Sequence, residues 1–205
     1  MISVPFCFVW LIDWKQKQKE TSDLLDAINK NILPLLNDNL KQLKTKLKRK
    51  GNLDDEIRIS LWIPVRLKFL SWHLKMICRT DNIPDRETEA YFDLNEGVIG
   101  YLFCKSNARE KYKVEFINLT NPQNLPQSYK DLKQDNKTLI KHNIVGVLGI
   151  VSLQSHSIVG LLAIDTDQTN NLSKMEGKDL HDIALEWIID NSGVVKLLWR
   201  MKNNV

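Results

Sequence analysis

Residues 143–167 read NIVGVLGIVSLQSHSIVGLLAIDTD, two runs dense in Val, Ile and Leu on either side of the polar turn Ser155-His156-Ser157. β-branched and aliphatic runs with a short polar break between them are a hairpin signal, the strongest in this chain. Upstream, YKVEFINL (112–119) reads as a short strand and IRISLWIP (57–64) as a longer one ending at Pro64. LSWHLKMICR (70–79) alternates, placing Leu70, Trp72, Leu74, Met76 and Cys78 on one face, and its connection to the preceding strand falls near Pro64 to Lys68. Between the strands lie the polar loop TDNIPDRETEA (80–90) and the stretch LNEGVIGYLF (94–103), with Gly97 and Gly100 three apart. After Leu119 a segment rich in Asn, Pro, Gln and Lys runs for more than about 20 residues, to about His142. A loop of that length inside a compact domain usually covers a site or contains a short helix.

Helical patterns flank this β-rich region. From about Lys15 to Lys50, Leu25, Ile28, Ile32, Leu36, Leu40, Leu43 and Leu47 recur at spacings of three and four, which predicts a long amphipathic helix with a kink or restart at Pro34 and a stop at Lys50-Gly51-Asn52. Downstream, Ser173 is a candidate cap for a helix whose stripe is Leu180, Ile183, Ala184, Trp187 and Ile188. The resulting division is an apolar segment at 1–14, a basic helix at 15–50, a domain at 53–192 and a tail at 193–205.

With 205 residues and 43% hydrophobic content, the chain can bury one substantial core and an appended helix. The net charge of +4 is uneven: up to Lys50 there are ten Lys/Arg against five Asp/Glu, which leaves −1 for the remainder. Lysines on the outer face of a helix are normally solvated, so no nucleic-acid partner is expected. Cys7, Cys78 and Cys104 are odd in number and widely spaced, which supports neither a disulfide framework nor a zinc site and fits a reducing cytoplasm. His73, His142, His156 and His181 are dispersed, and serine-nucleophile motifs are absent, so no catalytic or metal residues are assigned and the chain reads as non-enzymatic. MISVPFCFVWLIDW, with only about a dozen apolar residues, is too short for a span. Two readings of it stay open: an interfacial anchor at the inner face of a membrane, with Lys15, Lys17 and Lys19 as its basic flank, or an extra strand packed on the core.

The order of these elements resembles that of GAF domains over about residues 53–192. LNEGVIGYLF is similar to the family's l-x-x-G-x-x-G-x-v segment, VEFINL to the short strand after it, and the hairpin at 143–167 to the two closing strands. Val151-Ser152-Leu153 departs from the pattern where a proline is usual, and the loop after Leu119 matches no known subgroup. The resemblance implies an α+β fold: a central antiparallel sheet of about five to six strands, N- and C-terminal helices on one face after a long amphipathic helix, and a ligand pocket on the other face beneath the long loop. A phosphate-gripping role for the GxxG lacks the GK[ST] or third glycine it would need, so Gly97 and Gly100 are expected to permit a tight turn and a close helix-to-sheet approach.

The resemblance further implies a sensor of an unidentified small molecule that signals through terminal helices to a partner in trans; the alternative is a ligand-free dimerising or docking module. Candidate pocket residues are Trp72, Arg79, Tyr91, Phe92, Phe103 and Tyr129, with Arg86 as a second anion partner. Cys78 and Cys104 do not match the pattern of free methionine sulfoxide reductases, and each reads as a buried thiol. Neither a bilin nor a haem is expected, the cyclic-nucleotide constellation is not found, and the cofactor is left unknown. The stripe Leu36, Leu40, Leu43, Leu47 is the expected coiled-coil seam of a parallel homodimer formed by the helix between Lys15 and Lys50 together with the C-terminal helix around Leu180 to Ile188.

Overall fold

In the computed structural model, the four leucines Leu36, Leu40, Leu43 and Leu47 are each no more than 2% exposed and lie along one side of helix α1 (Leu33–Gly51). The structure describes residues 15–17, 19–20, 22–23, 26–54, 56–67, 71–80, 90–104, 110–121, 123, 125–139, 143–154 and 157–203. Residues 1–14, Leu25, Arg86 and the turn at Ser155-His156 lie outside them.

A stripe spaced by four, three and four residues follows one face of a helix, and here that face covers a sheet. Its partners include Ile57, Ile59, Leu61, Ile63 and Val65, the alternate residues of strand β1 (Ile57–Leu67). The expected dimer seam is therefore consumed inside the monomer, a correction that follows from the same periodicity that suggested it. Asn52 closes α1 in the left-handed region (φ 50°, ψ 39°), as the Lys50-Gly51-Asn52 stop predicts. Before α1, the described residues between 15 and 27 are helical and exposed, and Ile28–Ile32 forms a widened turn in which the Leu33 N–H donates to the Ile28 carbonyl. Pro34 gives the widening a cause, because it offers no N–H to the preceding turn and its ring crowds the carbonyl there.

Strand β1 is followed by β2 (Ser71–Arg79), β3 (Tyr91–Asp93), β4 (Tyr112–Asn118), β5 (Gly146–Gln154) and β6 (Ser157–Thr166). They form one six-stranded sheet in the order β3-β2-β1-β6-β5-β4, with every neighbouring pair antiparallel. The quoted hairpin is β5–β6, near the centre of this sheet. Strand β1 runs past Pro64, where the sequence suggested an end. Beyond Trp62 it has no β6 partner, and the Asn203 side chain takes that place, donating to the Pro64 carbonyl (2.9 Å) and accepting from the Arg66 N–H (3.0 Å). The proline thus sits where no ladder bond is required of its nitrogen.

A bulge in β2 corrects its expected face. The register steps from Leu61↔Cys78 to Trp62↔Met76, leaving Ile77 as the extra residue. Leu74 and Met76 therefore face one side, while Cys78 joins Leu61 and α1 on the other.

The helix layer is completed by α5 (Lys178–Asp190) and α6 (Ser192–Asn203), which follow the shorter helices α2 (Gly97–Cys104), α3 (Gln134–Leu139) and α4 (Leu172–Met175). The stripe Leu180, Ile183, Ala184, Trp187 and Ile188 is buried as predicted. Its helix begins after Gly177, whereas Ser173 lies inside α4. Residues 193–205, expected as a tail, carry most of α6, and Val195, Leu198 and Met201 insert into the same core.

On the opposite face, α2 is a helix where the sequence suggested a turn, because two glycines depress helix propensity. Gly97 is left-handed (φ 62°), and a side chain there would meet Leu132 at 2.7 Å. A Cβ at Gly100 would fall 2.8 Å from the Asp93 carbonyl oxygen, so the close approach is to the turn before the helix. The close helix-to-sheet approach occurs at Gly149, under Leu102.

Because Leu40 is wholly buried, Leu40→Ala is expected to lower stability by about 2–5 kcal/mol in urea unfolding. A change within about 0.5 kcal/mol, the range of ordinary surface substitutions, would show that the stripe does not face the core.

Candidate functional site

The face of the sheet opposite α1, α5 and α6 holds a second apolar cluster built from Trp62, Leu74, Met76, Phe92, Val98, Leu102, Val147 and neighbours. The cluster does not close completely. It encloses a cavity of ≈ 270 Å³, at the small end of ligand pockets.

Each wall of the cavity follows from a strand or helix already placed. Ser60 and Trp62 come from β1, Met76 and Arg79 from β2, Phe92 from β3, Gly97, Val98 and Ile99 from α2, Val147 from β5 and Asp165 from β6. The register sets Ser60 opposite Arg79 and Arg58 opposite Asp165, so the polar groups form one layer of the floor. Trp62 and Met76 are opposite each other in the next layer, and Trp62 stacks on Phe92 with ring centroids 4.9 Å apart.

The polar layer is bonded internally. Trp62 Nε1 donates to Ser60 Oγ (2.9 Å), and Arg58 Nε donates to Asp165 Oδ1 in a buried ion pair. Arg58 Nη1 also approaches Asp167 at 3.8 Å, while Arg58 Nη2 is buried without a hydrogen-bond partner among the described residues.

The long segment after Leu119 both covers this cavity and contains a short helix. Tyr129, Asp131, Leu132 and Lys137 line it from above, with Asn143 and Ile144 at the return to β5. A single buried carboxylate holds this cover down. Glu96 Oε1 accepts from the Lys133 N–H (2.6 Å) and from Asn136 Nδ2 (2.8 Å), and Oε2 accepts from the Asp93 N–H (3.1 Å). Beside it the Gly97 N–H donates to the Lys130 carbonyl (2.8 Å), so that first amide of α2 serves the cover. Asn136 also donates to the Tyr91 carbonyl (3.2 Å), and Lys133 pairs with Asp93.

Of the six pocket candidates, Arg79, Phe92 and Tyr129 line the cavity. Burial raises the Tyr129 phenol above its ordinary range, and Asp131 adds to the shift. Tyr91 cannot share the wall with Phe92, since neighbours on a strand face opposite ways. It packs on the helix-side core instead, with its hydroxyl accepting from Lys75 Nζ (2.9 Å). Trp72, near the start of β2, is 39% exposed, and Phe103 packs beside the second cluster without reaching the cavity. Arg86 lies outside the described residues.

The residues that sequence reasoning missed include Ser60, Trp62 and Asp165, on strands correctly placed but buried on both sides. Glu96 was quoted within the GxxG stretch, yet nothing local to it signals contact with residues 133 and 136.

Cys78 is buried, and burial pushes its thiol up to about 12, so it stays protonated at neutral pH. Cys104, expected to be buried, is exposed at the end of α2, where its thiol donates to the Leu94 carbonyl (2.8 Å). Among the described residues there is no group of three or more His, Cys, Asp or Glu placed to hold a metal ion, and no helix long and apolar enough to cross a membrane.

Neither a family model nor a curated protein sequence matches the chain. Solved structures do. The GAF domain of a phosphoenolpyruvate-protein phosphotransferase from Acinetobacter matches with a TM-score of 0.50 and 14% identity, over 88% of this chain and 92% of that one. The GAF domain of a two-component sensor histidine kinase from Bacillus halodurans matches with a TM-score of 0.45 and 17% identity, over 78% and 92%. That of a phosphoenolpyruvate-protein phosphotransferase from Coxiella burnetii matches with a TM-score of 0.41 and 15% identity, over 77% and 96%. At such identity the likeness is one of fold: the six-stranded antiparallel sheet, with helices on both sides and a long N-terminal helix, is the fold of a GAF domain.

Proposed function

We propose that this chain is a non-enzymatic sensory or regulatory domain of the GAF type, which binds a small molecule in the covered cavity and passes the consequence through its terminal helices to a partner in trans. One observation carries the reading: cavity and terminal helices occupy opposite faces of the same strands. On β1, Ser60 and Trp62 enter the cavity wall while Ile59, Leu61 and Ile63 pack in the helix-side core. A ligand that shifts Trp62 therefore displaces a strand on which the helix layer directly rests, and close packing transmits displacements of this kind. The outward faces of the terminal helices keep Leu35, Ile189 and Leu197 exposed, available to a partner.

The cover is the natural entry, since Glu96 pins it through hydrogen bonds, Leu125, Tyr129 and Leu132 pack it on the second cluster, and its described residues form no strand of the sheet. Segments outside the sheet and the main helices open at lower free-energy cost than core strands, as ligand-binding loops require.

Two measurements test the reading. A fragment library screened by thermal shift on the full chain is expected to yield binders that raise Tm, and Val98→Phe, which fills the cavity, is expected to abolish those shifts while keeping the far-UV spectrum. Binders indifferent to Val98→Phe would place ligand binding elsewhere. Glu96→Ala is expected to cost about 1–3 kcal/mol and to speed amide exchange across residues 130–136 at least about tenfold, because it strands two backbone donors and the Asn136 amide. Unchanged exchange there would mean that Glu96 does not hold the cover.

A further inference from the structure

The two edges of the sheet differ in length. Strand β3 offers three residues, and a short edge protects a sheet from further pairing, whereas β4 offers seven, Tyr112–Asn118. Strand β4 pairs with β5 in an unbroken register, Tyr112↔Ser152 to Asn118↔Gly146, with neither a bulge nor a proline to blunt its far side. The bonds at the two ends of that ladder, Leu119 N–H to the Val145 carbonyl (2.8 Å) and Leu153 N–H to the Lys111 carbonyl (2.9 Å), fix its phase. Hydrogen-bonded pairs alternate along an antiparallel ladder, so the odd-numbered residues of β4 bond β5 and the even-numbered ones turn their N–H and C=O outward. Tyr112, Val114 and Phe116 therefore each present a backbone donor and acceptor at the edge, and none of these outward groups is bonded among the described residues.

The side chains make this edge complementary to itself. Lys113 and Glu115 share a face of β4 with Ile117 and pair with each other at 2.8 Å, and Glu115 also accepts from the Tyr101 hydroxyl (3.3 Å). Tyr112, Val114 and Phe116 pack from the other face against the helix-side core. A second copy laid antiparallel about a twofold axis at Val114 sets Tyr112 opposite the second copy's Phe116, Val114 opposite its counterpart, and Lys113 opposite the second copy's Glu115. In that register the outward groups of the even residues meet, and the odd residues form the closer, non-hydrogen-bonded pairs, in which opposite charges attract. Sliding the copies by two residues either way keeps the backbone in phase. It also separates the rings and sets Lys113 against Lys113, or Glu115 against Glu115, at the axis, which like-charge repulsion disfavours.

We propose that β4 is an interface between two copies of this chain, joined edge to edge about a twofold axis at Val114 into one continuous antiparallel sheet. Charge complementarity selects a second copy as the occupant. Lys113 already pairs with Glu115 within each strand, so in the dimer the four side chains alternate in sign around the axis, whereas a foreign strand would have to bring both charges in the matching order. None of the residues from Tyr112 to Asn118 lines the cavity, so the interface and the candidate binding site are separate surfaces of the domain.

The test uses the full chain. Sedimentation from low-micromolar to submillimolar concentration is expected to show a reversible monomer–dimer equilibrium, and amide exchange at Tyr112, Val114 and Phe116 is expected to slow as the dimer fills. Val114→Pro removes an outward N–H and no bond to β5, so it is expected to give a monomer with an unchanged far-UV spectrum. Lys113→Glu and Glu115→Lys are each expected to weaken the dimer by about tenfold or more, because each sets like charges opposite one another between the copies. Mixed together, the two variants are expected to associate as a heterodimer, in which every facing pair is again opposite in sign. Exchange on the unaltered protein needs no variant, so it decides even where Val114→Pro folds poorly. A chain that stays monomeric at every concentration, as an edge kept for a foreign strand would leave it, overturns the proposal. So does a dimer that survives Val114→Pro with the edge amides exchanging freely, or a mixture of the charge variants that associates no better than either alone.

Discussion

Strand β1 is buried along both faces from Ile57 to Val65, and most of the architecture answers that constraint. A sheet with water on one side needs one covering layer; a central strand with no wet side needs two. The first layer comes from α1, α5 and α6, whose stripes meet Ile57, Ile59, Leu61, Ile63 and Val65. The second comes from α2 and the cover, and it fills the space over Trp62 only in part, which is why a cavity exists there. The same constraint explains the internal bonding of Arg58 and Ser60, because polar groups enclosed in this way must find partners inside the protein. Asp165 and Trp62 provide them.

Regular periodicity made the helix layer and the central hairpin legible in the sequence. Leu36 to Leu47 and Leu180 to Ile188 repeat at three and four because each helix has one dry side, and 143–167 reads as a hairpin because two apolar runs flank a polar turn. Features without a period were lost. Strand β3 is three residues long, α2 is interrupted by glycines, and the β2 bulge at Ile77 moves Cys78 to the other face from Met76 without any local mark. The helix α6 was hidden because Asn191-Ser192-Gly193 looks like an end, although the chain restarts there at once. The basic arm was visible, but its complement was not. In the folded protein Lys46 of α1 pairs with Glu186, and Lys46 and Lys50 hold the Glu186 carboxyl below its usual range. Asp179, Asp182 and Asp190 share that exposed side of α5, so part of the charge imbalance read along the sequence is met across the helix pair.

The candidate site was legible in location and only half legible in residues. A long loop after the GxxG suggested a covered site, and Tyr129 with Asp131, Leu132 and Lys137 covers a cavity there. Arg79 and Phe92 were found because they flank the right strands, while Tyr91 was not excluded because the sequence does not say which of two neighbours faces inward, and Trp72 because it lies at the exposed start of β2. Glu96 illustrates the remaining difficulty. Its role arises from contacts with residues 133 and 136, far along the chain, and no spacing rule reaches that distance. It links the cavity's cover to the turn that opens α2, so cover and sheet share one set of contacts.

The central claim is that the two layers communicate through the strands they share. Hydrogen–deuterium exchange of the full chain, with and without a saturating cavity binder, measures this directly. The account predicts slower exchange both in the cover at residues 129–139 and in helices α1 and α6 on the far side of the sheet. Protection confined to the cover and the cavity wall, with the terminal helices unchanged, would contradict it.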